Sequence, residues 1–150
     1  MRALIRTIGV ALALMTVTVA LPATASATGQ GAAATYSRIA NGNACLTMTQ
    51  STTVSMLPCL PVYGDGARWE RVGYVLRNVK TRQCLLTGGT TTASTCLVPA
   101  HRRQEWTQTA EGQIKPLAGS GLCLTHRDDR YVESLPCTGA ATQKWAFNFD

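Results

Sequence analysis

A closed all-β fold with pseudo-threefold symmetry is predicted for this 150-residue chain, and three observations predict it. One skeleton recurs about every 40 residues: a Cys-Leu pair, a Gly/Thr-rich or polar segment, a second cysteine, and a tryptophan. In the middle copy these are Cys84-Leu85, Cys96 and Gln104-Glu105-Trp106; in the first, Cys45-Leu46, Cys59 and Trp69; in the third, Cys123-Leu124, Cys137 and Gln143-Lys144-Trp145. All six cysteines and all three tryptophans fall on the skeleton, so no member of either rare type is left over. Each copy also reads as short alternating strands broken by turn chemistry, with no amphipathic helix. Three such units share one core and lose their edges by closure, which a β-trefoil of about twelve strands satisfies.

The first residues read as an address rather than as structure. Arg2 and Arg6 precede an uncharged apolar run from Ile8 to Ala20, and Ala25-Ser26-Ala27 has the small-x-small pattern of a secretory cleavage site. Residues 1–27 are therefore expected to be a signal peptide. The run is shorter than the about 20 apolar residues that a transmembrane helix needs, and no later stretch approaches that length. The segment TGQGAAA that follows is small and polar, so residues 28–35 read as a flexible tail.

The folded domain is expected over 36–150, with repeats at about 36–74, 75–112 and 113–150. In each repeat a first strand (Tyr36 to Ile39, Val75 to Val79, Ile114 to Leu117) leads through a turn to the Cys-Leu strand. After each tryptophan comes another strand-like run, and the first two of these end at Gly73 and Gly112. Leu46, Leu85 and Leu124, with Trp69, Trp106 and Trp145, are the expected core, because large aromatics contribute most when enclosed.

Export decides the cysteine chemistry, since disulfides form and persist outside the cytoplasm. If each repeat folds alike, Cys45 pairs with Cys59, Cys84 with Cys96, and Cys123 with Cys137. Each bond closes a loop worth on the order of 3 kcal/mol in the chain-entropy account. A metal site is not expected: there is no C-x-x-C pair, and the only histidines are His101 and His126.

The formal charge of +6 falls to +4 without Arg2 and Arg6. Arg68, Arg71, Arg77, Lys80, Arg82, Arg102 and Arg103 crowd the middle third and are expected to form a solvated basic face, so specific nucleic-acid binding is not expected. Catalysis has no motif behind it. The eight acids and two histidines follow no nucleophile–base or paired-carboxylate pattern. Thr87-Gly88-Gly89-Thr90 lacks the frame of a phosphate-binding loop, and no cofactor is implied.

The threefold C-L, C and Q-x-W pattern resembles the ricin B-type lectin family, whose fold is the β-trefoil and whose members bind galactose, xylan or related glycans. The resemblance implies a secreted carbohydrate-binding module without catalytic activity, with a glycan or glycoprotein as partner. In the sugar-binding members an aspartate stands two residues after the first cysteine, an aromatic ring two before the second, and an asparagine before the Q-x-W. Here the first position holds Thr47, Leu86 and Thr125, the second Leu57, Ser94 and Leu135, and the third Gly66, Arg103 and Thr142. A carboxylate and a stacking ring are what hold a neutral sugar, so these sites are eroded, and in repeat one Ala67 replaces even the glutamine.

Repeat three keeps the most polar equipment, and Thr125, Asp128, Tyr131 and Gln143 are the expected carbohydrate-binding residues, with an aspartate as acceptor and Tyr131 as ring. One site on a monomer gains no avidity. The alternative is a protein-binding or toxin-accessory trefoil that has lost sugar binding. The N-V-x-T-x-x-C-L opening around Asn78 to Leu85 is also similar to the ricin-like A and C subunits of cytolethal distending toxins.

Overall fold

The computed structural model of the protein describes residues 36–149, apart from Ser51, Asp128 and Asp129. The expected signal peptide and tail, residues 1–35, lie outside the described residues. Repeat one supplies β1 (Tyr36–Asn41), β2 (Ala44–Met48), β3 (Val54–Pro58) and β4 (Trp69–Val72). Repeat two supplies β5 (Val75–Asn78), β6 (Cys84–Leu86), β7 (Thr92–Ser94) and β8 (Trp106–Gln108). Repeat three supplies β9 (Ile114–Pro116), β10 (Leu122–His126), β11 (Val132–Pro136) and β12 (Ala146–Phe149). The architecture is the expected twelve-stranded β-trefoil.

In each repeat the outer strands build the barrel and the inner two form a hairpin that caps it. Around the barrel β12 pairs with β1, β1 with β4, β4 with β5, and β8 with β9, all antiparallel. The two remaining joints rest on backbone bonds at the tryptophans: Trp106 N–H donates to the Tyr74 carbonyl and Trp145 N–H to the Gly112 carbonyl, both at 2.8 Å. Gly112 sits at φ 82°, and a Cβ there would stand 3.1 Å from the Trp145 carbonyl. Glycine is therefore the residue that this turn and this close approach admit.

The hairpins β2–β3, β6–β7 and β10–β11 are each tied to the other two. Met56 N–H donates to Arg130 O (2.8 Å), Thr91 N–H to Val132 O (2.7 Å) and Ala93 N–H to Thr52 O (3.1 Å). Strand edges that would otherwise invite association are paired in this triangle.

Four sets of three equivalent side chains fill the interior: Ile39, Leu76 and Ile114; Leu46, Leu85 and Leu124; Val54, Ala93 and Val132; Trp69, Trp106 and Trp145. All are buried. Each indole N–H meets the carbonyl of the leucine in its own Cys-Leu pair: Trp69 to Leu46 at 2.8 Å, Trp106 to Leu85 at 3.0 Å, Trp145 to Leu124 at 2.9 Å. The polar tip of each buried ring is thus satisfied where an orphaned donor would be costly.

The three disulfides join Cys45 to Cys59, Cys84 to Cys96 and Cys123 to Cys137, the symmetric pairing. They fasten the outer face of each Cys-Leu strand to the chain leading toward the tryptophan. The sequence predicts no amphipathic helix, and the described residues hold short 3-10 segments instead, at Pro61–Ala67, Arg102–Gln104 and Ala141–Gln143. Segments this short, the first of them broken by a kink at Gly64, carry no apolar periodicity, so nothing in the hydrophobic pattern announces them.

Trp106 has no exposed surface. Trp106→Ala should therefore cost about 3 to 5 kcal/mol, the range for emptying a buried aromatic site. Denaturant unfolding measures it; a change within about 0.5 kcal/mol, typical of surface positions, would contradict this packing.

Candidate functional site

Each 3-10 segment delivers its last residue toward the second cysteine of the same repeat, and this positions the Q-x-W glutamines. Gln143 Nε2 donates to Thr125 Oγ1 (3.1 Å) and Pro136 O (2.9 Å), while its Oε1 accepts from Thr138 N–H (2.8 Å) and Gly139 N–H (3.2 Å). Gln104 repeats the arrangement, donating to Ser94 Oγ (2.8 Å) and Thr95 O (2.9 Å) and accepting from Leu97 N–H (3.0 Å). Both amides are buried. Both of Gln143's amide hydrogens are committed within the protein. In repeat one the clip becomes apolar, with Ala67 packed among Ala40, Cys45, Cys59 and Tyr63.

Above Gln143 lies a cleft of about 440 Å³ between the β10–β11 hairpin, which contributes Thr125, His126, Arg127 and Leu135, and the segment carrying Thr138 and Thr142. Thr125 forms part of its floor, 6% exposed, and its hydroxyl donates to Cys123 O at 2.9 Å. Thr47 makes the same bond to Cys45 O at 2.9 Å, so this threonine is a strand-edge fixture in two repeats.

His126 is held from another repeat. Asn41 donates its Nδ2 hydrogens to Ala141 O (2.7 Å) and Lys144 O (2.8 Å), which turns its Oδ1 to His126 Nδ1 at 2.9 Å. Asn41 Oδ1 can only accept, so the network assigns the proton to Nδ1 of the imidazole. Arg127 lies on the rim and pairs with Glu133 at 3.6 Å.

Of the four expected residues, the cleft brings together Thr125 and Gln143. Tyr131 closes the hairpin tip, where its carbonyl accepts from Arg127 N–H at 2.9 Å; its side chain is 57% exposed and does not line the cleft. Asp128 lies outside the described residues. His126, Arg127 and Thr138 were not in the expected set. Strand alternation along β10 could have suggested Arg127 beside Thr125, but Asn41, the fixture of His126, is 85 residues away and leaves no sequence signal.

The equivalent ground in repeat one is taken by the protein itself. A Cβ on Gly66 would stand 2.7 Å from the Met48 carbonyl, so the chain that precedes Trp69 lies directly on the end of β2. In repeat two Leu86 stands at the position of Thr125, and Arg103 lies across the opening, donating to Thr87 O from Nε (3.1 Å) and Nη2 (2.8 Å). Among the described residues no group of three His, Cys, Asp or Glu side chains is placed to hold a metal ion.

The ricin-type beta-trefoil lectin domain family matches residues 73–150, just over half of the chain. The chain belongs to this family. Solved structures of other trefoil lectins share the fold. The agglutinin from Abrus precatorius superposes with a TM-score of 0.68 at 21% identity, covering 77% of this chain and 47% of that one. A non-toxic homologue of type II RIPs from Momordica charantia, in complex with α-methyl-D-galactoside, gives 0.67 at 16%, covering 75% and 47%. The β-trefoil lectin of the Vibrio vulnificus hemolysin/cytolysin, with N-acetyl-D-lactosamine bound, gives 0.66 at 18%, covering 78% and 96%. This ricin-type chain spans about half the length of the first two. Comparison with curated protein sequences gives no match.

The Gln143 clip has a measurable consequence. Gln143→Ala removes the buried amide that ties the Thr138 and Gly139 N–H groups to Pro136 and Thr125, and should destabilise the protein by about 1 to 3 kcal/mol, the net worth of two or three lost hydrogen bonds. Urea unfolding checks it, and a midpoint equal to that of the unmodified protein would show that the amide is not committed as described.

Proposed function

We propose that this ricin-type trefoil is an exported, non-catalytic carbohydrate-binding module with one working sugar site, in repeat three. The observation that carries this reading is the contrast between repeats. Gly66 lies on Met48 in repeat one and Arg103 crosses repeat two, whereas repeat three keeps an open cleft edged by an imidazole and hydroxyls. Thr125 and Gln143 act as its fixed floor, His126 and Thr142 as hydrogen-bonding edges, and Tyr131, at the hairpin tip, together with the acceptor Asp128 as the reach toward a sugar. The galactoside and N-acetyl-D-lactosamine bound to two of the similar lectins favour a galactose-type ligand.

Export is supported by the leader-like residues 1–27 and by three disulfides, which persist in oxidising compartments. Among the described residues no helix is long and apolar enough to cross a membrane. The absence of a catalytic motif in the sequence supports a binding role.

A second reading, a protein-binding trefoil, is favoured by one feature. Val72, Leu97 and Val98 are exposed apolar residues around a shallow groove beside Cys84–Cys96, and a contiguous apolar surface of this kind suits a protein contact.

Without the family's carboxylate, a galactoside should bind with a Kd near the millimolar range, about −4 kcal/mol. Calorimetric titration is expected to show Tyr131→Ala and His126→Ala each losing most of that binding while the fold is kept. Unchanged affinity in both would remove the repeat-three site, and no binding to any glycan on an array would favour the protein-partner reading.

A further inference from the structure

A second cleft, of about 500 Å³, lies between repeats two and three and is independent of the site above. Repeat two contributes the Thr87–Gly89 loop with Arg102 and Arg103, and repeat three contributes Pro116, Leu122 and Ser134. Its cations are placed with care. Arg103 N–H groups reach Thr87 O at 3.1 and 2.8 Å, and Thr87 N–H donates back to Arg103 O at 2.8 Å. That two-way clasp fixes the guanidinium while leaving part of its five-donor fork unused.

Gly88 makes room for this. A Cβ at Gly88 would stand 3.4 Å from Arg103 Nη2 and 3.2 Å from Thr90 O, tighter than most side chains tolerate. Arg102 is exposed beside Arg103, and among the described residues no carboxylate lines the cleft. The ion pairs among the described residues use other arginines, namely Arg68, Arg77, Arg82 and Arg127. Thr87 Oγ1 and Ser134 Oγ, 3.1 Å apart, bridge the two repeats. The floor is apolar, made by Pro116 and Leu122.

A pinned guanidinium, a neighbouring one with no carboxylate partner among the described residues, and an apolar floor suit a ligand that carries an anionic group on a ring with an apolar C–H face. We propose that this cleft binds acidic glycans, with the sugar ring against Pro116 and Leu122 and a sulfate or carboxylate on Arg102 and Arg103. Planar, bidentate recognition of such oxyanions is what an arginine fork does well. The net charge of +4 that remains without Arg2 and Arg6 would attract them. Nucleic acid fits less well, because the cleft offers no aromatic ring on which a base could stack.

The test titrates the disulfide-intact protein with a fully sulfated heparin disaccharide, the same disaccharide stripped of sulfate, and inorganic sulfate, followed by amide NMR. Binding of the sulfated sugar is expected, with the largest shifts at Gly88 and Gly89. If the desulfated sugar also binds, the carboxylate is the recognised group; if it does not, the sulfate ester is. Arg102→Gln, which disturbs none of the bonds above, should weaken binding at least about tenfold, as loss of one charge-assisted hydrogen bond would. His126→Ala should leave it unchanged, which separates this cleft from the repeat-three site. Unaltered affinity in Arg102→Gln, inorganic sulfate binding as tightly as the disaccharide, or no binding of either sugar would overturn the proposal.

Discussion

A buried indole whose one polar atom must find a partner is the constraint on which the rest of this structure depends. Trp69, Trp106 and Trp145 are the largest side chains in the interior, and each brings an N–H donor into the buried core. Leaving such a donor unpaired would offset much of what the ring's burial contributes. The solution is the same in all three repeats: the N–H is given to the carbonyl of Leu46, Leu85 or Leu124. That bond sets the distance between the Cys-Leu strand and the strand that follows the tryptophan. The disulfide then fastens the other side of the same strand, because Cys45, Cys84 and Cys123 point outward where the leucines point inward.

Because the scaffold is held this way, the surface is left to vary. Most positions that touch the core come in threes of similar size and polarity, Met48 and Met56 of repeat one being additions, whereas the residues just before the Q-x-W position, Gly66, Arg103 and Thr142, differ in every repeat. Repeat one buries its site under Gly66, repeat two crosses it with Arg103, and repeat three leaves it open. The Q-x-W glutamines belong to the scaffold in this sense. Their amides hold the turn after the second cysteine, and in repeat one Tyr63 and the Cys45–Cys59 bond do the same work with apolar contact.

The fold was legible in the sequence because its determinants are rare residues at a fixed step. Cysteine and tryptophan mark the repeat, the repeat implies the symmetric disulfides, and closure follows from three units that cannot bury their apolar faces alone. Strand limits were readable within a residue or two, as at Val75 to Asn78, since Gly73 and the Asn78 turn bound that strand on either side. The 3-10 segments were not, being too short for any period to show. The site was only partly legible. Thr125 and Gln143 came from matching a motif, but their hydrogen bonds turn inward, and a motif does not reveal which lone pairs are already taken. His126 owes its position to Asn41, and the second cleft to Arg103 folding back on Thr87; both are pairings across long loops that local sequence does not encode.

Hydrogen exchange of the three indole N–H protons, followed by NMR under native conditions, tests the central claim most directly. If the tryptophan–leucine bonds hold the trefoil together, all three should be protected alike and exchange only through global unfolding, with the opening free energy found for the slowest backbone amides. An indole that exchanges as fast as an exposed one, or three with widely different opening energies, would contradict the account.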